Sequence, residues 1–348
     1  MSKAIEINIG ELCLALEKIA TGDKSEKDRA KEIRADIHQK HHLNALNESA
    51  EVSKSYRSIS PANQGKLIHG GQSFSNLFER ELKAGNWQDI DEPEIRGQLN
   101  ESDLLQAEFE LNLGDFSTWS MYRRGDAEMR AGPSGVDHLA YSKVVLRYVP
   151  KSGKTRIALY RDIPVADIDA LFPNIKPKMS SKDFSRIWAM AAINASLIIF
   201  NLLTDPALVV DLLAGKISAL LDKPIVLAAV AATSLYALQI RRNYRNTERR
   251  YLAEVTSLRH DHLIANDDAA VKEIVQISHE QEACEELLAV EFLRKAGKEI
   301  SLDDLDKRVE KFLAGIGYAA DFEVEDGVDK AVKGGYAVMV TDDSVIAK

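Results

Sequence analysis

The sequence predicts an α+β, mostly helical protein organised around a two-pass transmembrane helical hairpin. Three observations predict it. Two uncharged apolar runs occupy residues 187–204 and 224–240. Basic residues flank both on one side: Lys176, Lys178, Lys182 and Arg186 before the first, Arg241, Arg242 and Arg245 after the second. Alternating, strand-like segments precede the hairpin, and helical periodicity dominates at both ends of the chain.

Residues 1–62 form a charged helical N-terminal region. Leu12, Leu14, Leu16 and Ile19 mark a first short helix. A long charged helix follows over 25–58 and ends before Ser60-Pro61, with Ile33, Ile37, Leu43 and Leu46 as a thin apolar stripe.

Residues 63–175 form an α+β domain. SFSNLFERELK, residues 73–83, is amphipathic through Phe74, Leu77 and Leu82, and residues 91–98 suit another short helix. The pattern then alternates in FELNLGDFSTWSMYRRGD, HLAYSKVVLRYVP and TRIALYRDIP. These are three antiparallel strands joined by glycine-containing turns at Gly125 and Gly153. A short helix over 165–171 closes the domain before Pro173.

Residues 176–250 hold the hairpin. At 1.5 Å per residue each run reaches about 25–27 Å, the low end of a hydrocarbon core about 30 Å thick. Asn194 and Asn201 lie seven apart on one helix face, and Ala228 and Ala232 lie four apart on the other run. Such faces pack within a hairpin or between hairpins. The connecting segment 205–223 reads as an amphipathic helix on the outer surface. Basic flanks stay on the cytoplasmic side, which predicts a multi-pass protein of the cell inner membrane with both termini cytoplasmic. The competing reading is a buried helical hairpin without a bilayer.

Residues 251–348 form a helical, winged-helix-like C-terminal domain. Helices are expected at 267–295, 307–313 and 323–333, then two short strands about a Thr-Asp-Asp-Ser turn.

Composition narrows the function. Asp and Glu outnumber Lys and Arg by 54 to 45, a formal net charge of −9, which argues against bulk nucleic-acid binding. Cys13 and Cys284 form no metal or redox motif. The first 20 residues lack the apolar stretch of a secretory signal. No phosphate-loop, dinucleotide or HExxH motif occurs, so no cofactor is expected.

Two groups carry candidate chemistry. Arg123, Arg124, Arg161, Lys143 and Arg147 lie along the strands and can hold an anion, against a reading as strand-end salt bridges with Asp115, Asp126 and Asp162. His260, Asp261 and His262, with His279-Glu280 on the next helix, offer ligands for a transition metal, but a His-x-His pair on a helix points its rings apart. His41-His42 stands in the charged helix and is the weaker pair.

The segments YRDIPVADIDALFP (160–173), DFSTWSMYRRG (115–125), AYSKVVLRYVP (140–150), ISHEQEACEELLAVEFL (277–293) and DFEVEDGVDKAVKGGYAV (321–338) occur in the order of a known family. In them the chain resembles the transmembrane-protein-143-like family over roughly residues 65–348. The resemblance implies two membrane spans and a domain order, and no activity.

The expectation is a non-enzymatic, membrane-anchored scaffold or sensor acting through protein contacts. Its expected partners are the lipid bilayer and a protein partner or a second copy, with no nucleic acid. The alternatives are an oligomeric membrane effector that opens the bilayer, and an enzyme or anion-binding module using the arginine-lined sheet.

Overall fold

The computed structural model describes residues 2–19, 24–62, 71–98, 108–131, 137–151, 153–178, 224–318 and 320–348, with isolated positions between 185 and 196. The architecture is mixed helix and antiparallel sheet. Residues divide into two compact units: 1–101, 113–171 and 261–348 make the first, and 102–112 with 172–260 make the second.

The first unit is built around one helix. Helices α1 (Ile9–Ile19), α2 (Lys24–Arg57) and α3 (Gly71–Ala84) lead into strand β1 (Trp87–Asp89) and helix α4 (Glu92–Gln98). Strand β2 (Glu108–Glu110) belongs to the second unit. Strands β3 (Phe116–Arg124), β4 (Glu128–Ala131), β5 (Asp137–Pro150) and β6 (Arg156–Pro164) follow, then a 3-10 turn over Val165–Leu171. Beyond β7 (Lys176–Lys178) and helix α5 (Pro224–His262), strand β8 (Leu263–Asn266) returns the chain to the sheet. The sheet order is β1-β3-β5-β6-β8, all antiparallel, with β4 also paired to β5.

Strand β8 runs directly into α6 (Asp267–Ala296). Helix α6 is buried on nearly every side from Ala270 to Leu293, which is the behaviour of a central core helix. Asp267 and Asp268 sit in its first turn and Arg294 and Lys295 in its last, each the favourable sign for the helix dipole. Gly297 ends it with φ +60°, returning its N–H to the Leu293 carbonyl.

Two apolar clusters meet α6 at different heights. Toward its start, Ala270, Val271, Ile274 and Val275 pack with Phe74, Phe78, Val145, Ile157 and Leu159 from α3 and the sheet. Toward its end, Leu287, Leu288 and Leu293 pack with Ile5, Ile7, Leu12 and Leu16 from the N-terminus and with Leu305, Val309, Phe322 and Val328. Fully burying one such aliphatic side chain contributes about 1.5–3 kcal/mol. Leu305 and Val309 belong to α7 (Leu302–Gly315) and Val328 to α8 (Val324–Lys333), with Phe322 just before α8. Strands β9 (Ile300–Ser301), β10 (Ala337–Thr341) and β11 (Ser344–Ala347) form a small sheet in the order β10-β11-β9.

In the second unit β2 pairs antiparallel with β7, Glu108 opposite Lys178. Helix α5 supplies most of its described residues, and Arg259 donates to the Phe172 carbonyl.

The membrane hairpin is corrected. Among the described residues no helix is long and apolar enough to cross a membrane. Run 224–240 is the opening part of α5, broken by Thr233, Ser234 and Gln239 and continued into Arg241, Arg242, Arg245, Arg249 and Arg250. Its 17 residues span about 26 Å, short of a hydrocarbon core about 30 Å thick. Run 187–204, apart from isolated positions, and segment 205–223 lie outside the described residues. The two-pass fold and the inner-membrane location built on it are therefore withdrawn. Arg241, Arg242, Arg245 and Ala228 are exposed on α5. Lys182, Arg186, Asn194 and Asn201, and the side chains of Lys176, Lys178 and Ala232, lie outside the described residues.

Candidate functional site

Between the two apolar clusters α6 carries a polar belt: Ser278, His279, Gln281, Glu282, Glu285 and Glu286. Two structures converge on it, the inner face of α2 and the N-terminal segment.

Arg34, His41 and Glu48 recur every seven residues on α2, two helical turns apart, and so share one face. Their partners descend α6 in antiparallel order. Arg34 Nη1 lies 3.2 Å from Glu291 Oε2. His41 Nε2 donates to Glu286 Oε2 at 2.6 Å, and Lys40 Nζ reaches both oxygens of Glu286 at 2.8 and 2.9 Å. His279 Nε2 donates to Glu48 Oε2 at 3.2 Å. At the bottom Tyr56 donates to Asp267 Oδ1 at 2.6 Å, while Ser53 and Arg57 bind Asp268. The seam is mostly dry: the side chains of Arg34, Glu291, His41, His279 and Glu286 are all at most 8 % exposed.

Three ligand-type side chains meet inside the seam. His41 Nδ1 lies 3.9 Å and His279 Nδ1 3.4 Å from the same Glu282 Oε2. The two rings stand 6.2 Å apart. Both Nδ1 atoms are buried and make no hydrogen bond. A neighbouring group joins Glu48, Glu81 and the other face of His279, with ligand atoms within 4.8 Å of one another. Arg80 occupies it, 2.8 Å from Glu81 and 3.1 Å from Glu48. A third group, Glu285, Glu323 and Asp326, is neutralised by lysines: Lys330 lies 2.5 Å from Glu285 and 2.6 Å from Asp326, and Lys3 2.6 Å from Glu323. A cleft of about 550 Å³ opens beside the belt, with Arg80, Lys83, Trp87 and Glu282 among its walls.

Burial and pairing pull the carboxylates apart. Burial pushes Glu285 up to about 7 against the opposing Lys330. Burial also pushes Glu81 up to about 7; Arg80 opposes this and Glu48 reinforces it. Burial acts the same way on Glu286, but the hydrogen bonds from His41 and Lys40 overcome it and hold the group below the usual carboxylate value. Cys284, at the buried side of α6, is pushed up to about 12 by burial and stays a thiol.

The basic strand residues are placed as follows. Arg124, Lys143 and Arg161 form a cross-strand row over β3, β5 and β6. Arg124 is an internal tether. Its Nη2 donates to Gln281 Oε1 at 2.7 Å and the Ile5 carbonyl at 3.2 Å, and its Nε to the Gly85 carbonyl at 3.2 Å. A glycine stands at 85 because a Cβ there would lie 2.6 Å from Trp87 Nε1 and 2.8 Å from Ser278 Oγ. Arg123 lies over the Tyr141 ring at 5.1 Å. Arg147 donates to Ser75 Oγ at 2.7 Å and covers Phe74. Burial lowers Lys143 and Arg147. Arg123, Arg124, Lys143 and Arg161 thus stand at one level of the sheet, with Arg147 four residues further along β5, and Arg124 and Arg147 already have polar partners.

Among the histidines, His262 Nδ1 donates to the Arg161 carbonyl at 2.9 Å, and His42 stacks on His38. The structure brings His41 to His279, a pairing that adjacency in sequence (His41-His42, His279-Glu280) does not suggest. The legible signal is the seven-residue recurrence of Arg34, His41 and Glu48.

A chain of mixed helix and antiparallel sheet with a buried histidine–carboxylate seam is the class these observations define. The family described as "Protein of unknown function (DUF3754)" matches residues 133–269, from before β5 to the first turn of α6. His41, His279 and Glu282 lie outside that stretch. No curated protein and no solved structure matches the chain.

Proposed function

We propose that this chain is a non-enzymatic scaffold or sensor that works through protein contacts, with α2 as its responsive element. One observation carries the reading: a 34-residue helix docks on the central helix of the fold through ionisable groups buried between two apolar clusters. Apolar side chains of the same size hold helices together as well or better, so buried ion pairs are a poor device for stability alone. They suit a contact that must answer to a change of charge. The protein partner, or second copy, belongs to the same proposal, as does kinship with the transmembrane-protein-143-like family through residues 160–173, read as descent alone.

Hydrogen exchange on the full chain tests it. Glu286→Gln leaves Lys40 and His41 without their shared carboxylate. Exchange is expected to rise roughly tenfold or more along α2, with β3, β5 and β6 unchanged. Equal protection of α2 in both proteins would show a rigid strut and end the sensor reading.

A further inference from the structure

We propose that His41, His279 and Glu282 bind one divalent transition-metal ion of the zinc or cobalt class, clamping α2 onto α6. The proposal deepens the sensor reading by naming the signal, and it rests on that reading only for the ion's role.

Geometry comes first. A tetrahedral ion with ligand bonds of about 2.0–2.1 Å holds its ligand atoms about 3.3–3.4 Å apart. His279 Nδ1 and Glu282 Oε2 are 3.4 Å apart, and His41 Nδ1 is 3.9 Å from the same oxygen. A shift of about half an ångström brings His41 Nδ1 to the same reach of that oxygen, and the ligand atoms of the three side chains already lie within 4.8 Å of one another, with the fourth position left for water. His279 and Glu282 are three apart on α6 and so share its face. His41 comes from the facing helix.

The second observation is the pair of buried, unbonded nitrogens. His41 and His279 are 6 % and 5 % exposed, and Nδ1 of each makes no hydrogen bond. Leaving a buried polar atom unsatisfied costs about 1–3 kcal/mol. Here two such atoms turn toward one carboxylate oxygen.

The third is what holds the rings. Each Nε2–H donates to a carboxylate, His41 to Glu286 and His279 to Glu48. That places the proton on Nε2 and the lone pair on Nδ1, facing Glu282. Carboxylate partners behind ligating histidines orient the ring and raise its basicity. Those carboxylates are themselves anchored, Glu286 by Lys40 and Glu48 by Arg80. Two nitrogens and one oxygen select a borderline ion over Mg²⁺ or Ca²⁺, which take oxygen ligands.

The test uses the full chain, stripped with chelator and loaded with Co²⁺ or Zn²⁺. Expected are one ion per chain after dialysis, visible cobalt absorption of a four-coordinate site, and no retention of Mg²⁺. Glu282→Gln, a partly exposed position, removes one ligand and is expected to abolish retention in a folded protein. Glu48→Ala keeps all three ligands but frees the His279 ring, and is expected to weaken binding roughly 10- to 100-fold. A folded wild-type chain that retains no ion overturns the proposal, as does unchanged binding in Glu282→Gln. One ion per chain without added protection of α2 in hydrogen exchange keeps the site and ends the sensor role. An α2 released by Glu286→Gln in a chain that binds no ion does the reverse.

Discussion

Glu81 and Glu286 are both buried carboxylates, yet their proton affinities move in opposite directions. Glu286 has two hydrogen-bond donors inside the seam, the Lys40 ammonium and the His41 Nε2–H, and stays ionised. Glu81 has one, the half-exposed Arg80, which also serves Glu48. Desolvation and the nearby Glu48 prevail, and the group rises from 4.5 to about 7. The folded protein therefore keeps a proton on Glu81 that the unfolded chain has already released. Stability from this group falls as pH rises through the window from 4.5 to about 7. Glu81→Gln removes the titration and leaves Arg80 its second carboxylate. In ion-free protein the variant is expected to flatten the pH dependence of thermal stability across that window and to gain about 1–3 kcal/mol on the wild type at pH 8. An unchanged slope would mean that Arg80 keeps Glu81 charged.

At the scale of elements, α2 shows how a charged helix is fixed. Its inward positions include Arg34, His41 and Ser53 alongside Ala30, Ile37, Ala45, Val52 and Tyr56. Arg34 and Glu291 form a dry ion pair in the seam, 6 % and 7 % exposed. Removing one partner strands a buried charge, so Arg34→Met is expected to cost about 3–5 kcal/mol in urea unfolding. The double variant Arg34→Met with Glu291→Leu is expected to recover most of that loss, and a double-mutant cycle measures the difference. Additive losses would show that the two charges act separately. The extent of α2 is legible in sequence, since residues 25–58 were expected and Lys24–Arg57 is found. Its inner face is not. Hydrophobicity alone turns Leu43 and Leu46 inward, but they are 50 % and 55 % exposed. The buried carboxylates that meet Arg34 and His41, Glu291 and Glu286, lie more than 240 residues away, where no local pattern reports them. Strands β3, β5 and β6 show their period over nine residues or more, whereas β1, β4, β8 and β9 are too short to show one. Helix α7 starts at Leu302, earlier than the expected 307, and its signal is a capping serine: Ser301 Oγ accepts from Asp304 N at 3.2 Å.

At the scale of the molecule, the first unit is assembled from three separate stretches of chain around α6. The tail does not close its own core. Ile5, Ile7, Leu12 and Leu16 complete the cluster formed by Leu288, Leu305, Val309 and Val328, and Ile37 of α2 joins it. The N-terminal segment is bonded in as well: Gln281 Oε1 accepts from Ile5 N at 2.9 Å, and Asp321 N donates to the Ser2 carbonyl at 2.9 Å. Helix α6 also loses its sheet contact if the chain is cut before it. A fragment of residues 261–348 would expose the apolar face that Leu12 and Leu16 cover and leave Glu286 and Glu291 without Lys40, His41 and Arg34. Such a fragment is expected to lack a cooperative thermal transition, by circular dichroism and by calorimetry. Adding a second fragment of residues 1–171 is expected to restore the transition, because it returns α1, α2, α3 and the sheet together. A cooperative transition in residues 261–348 alone would mean that the tail folds on its own core and that α2 is an accessory to it.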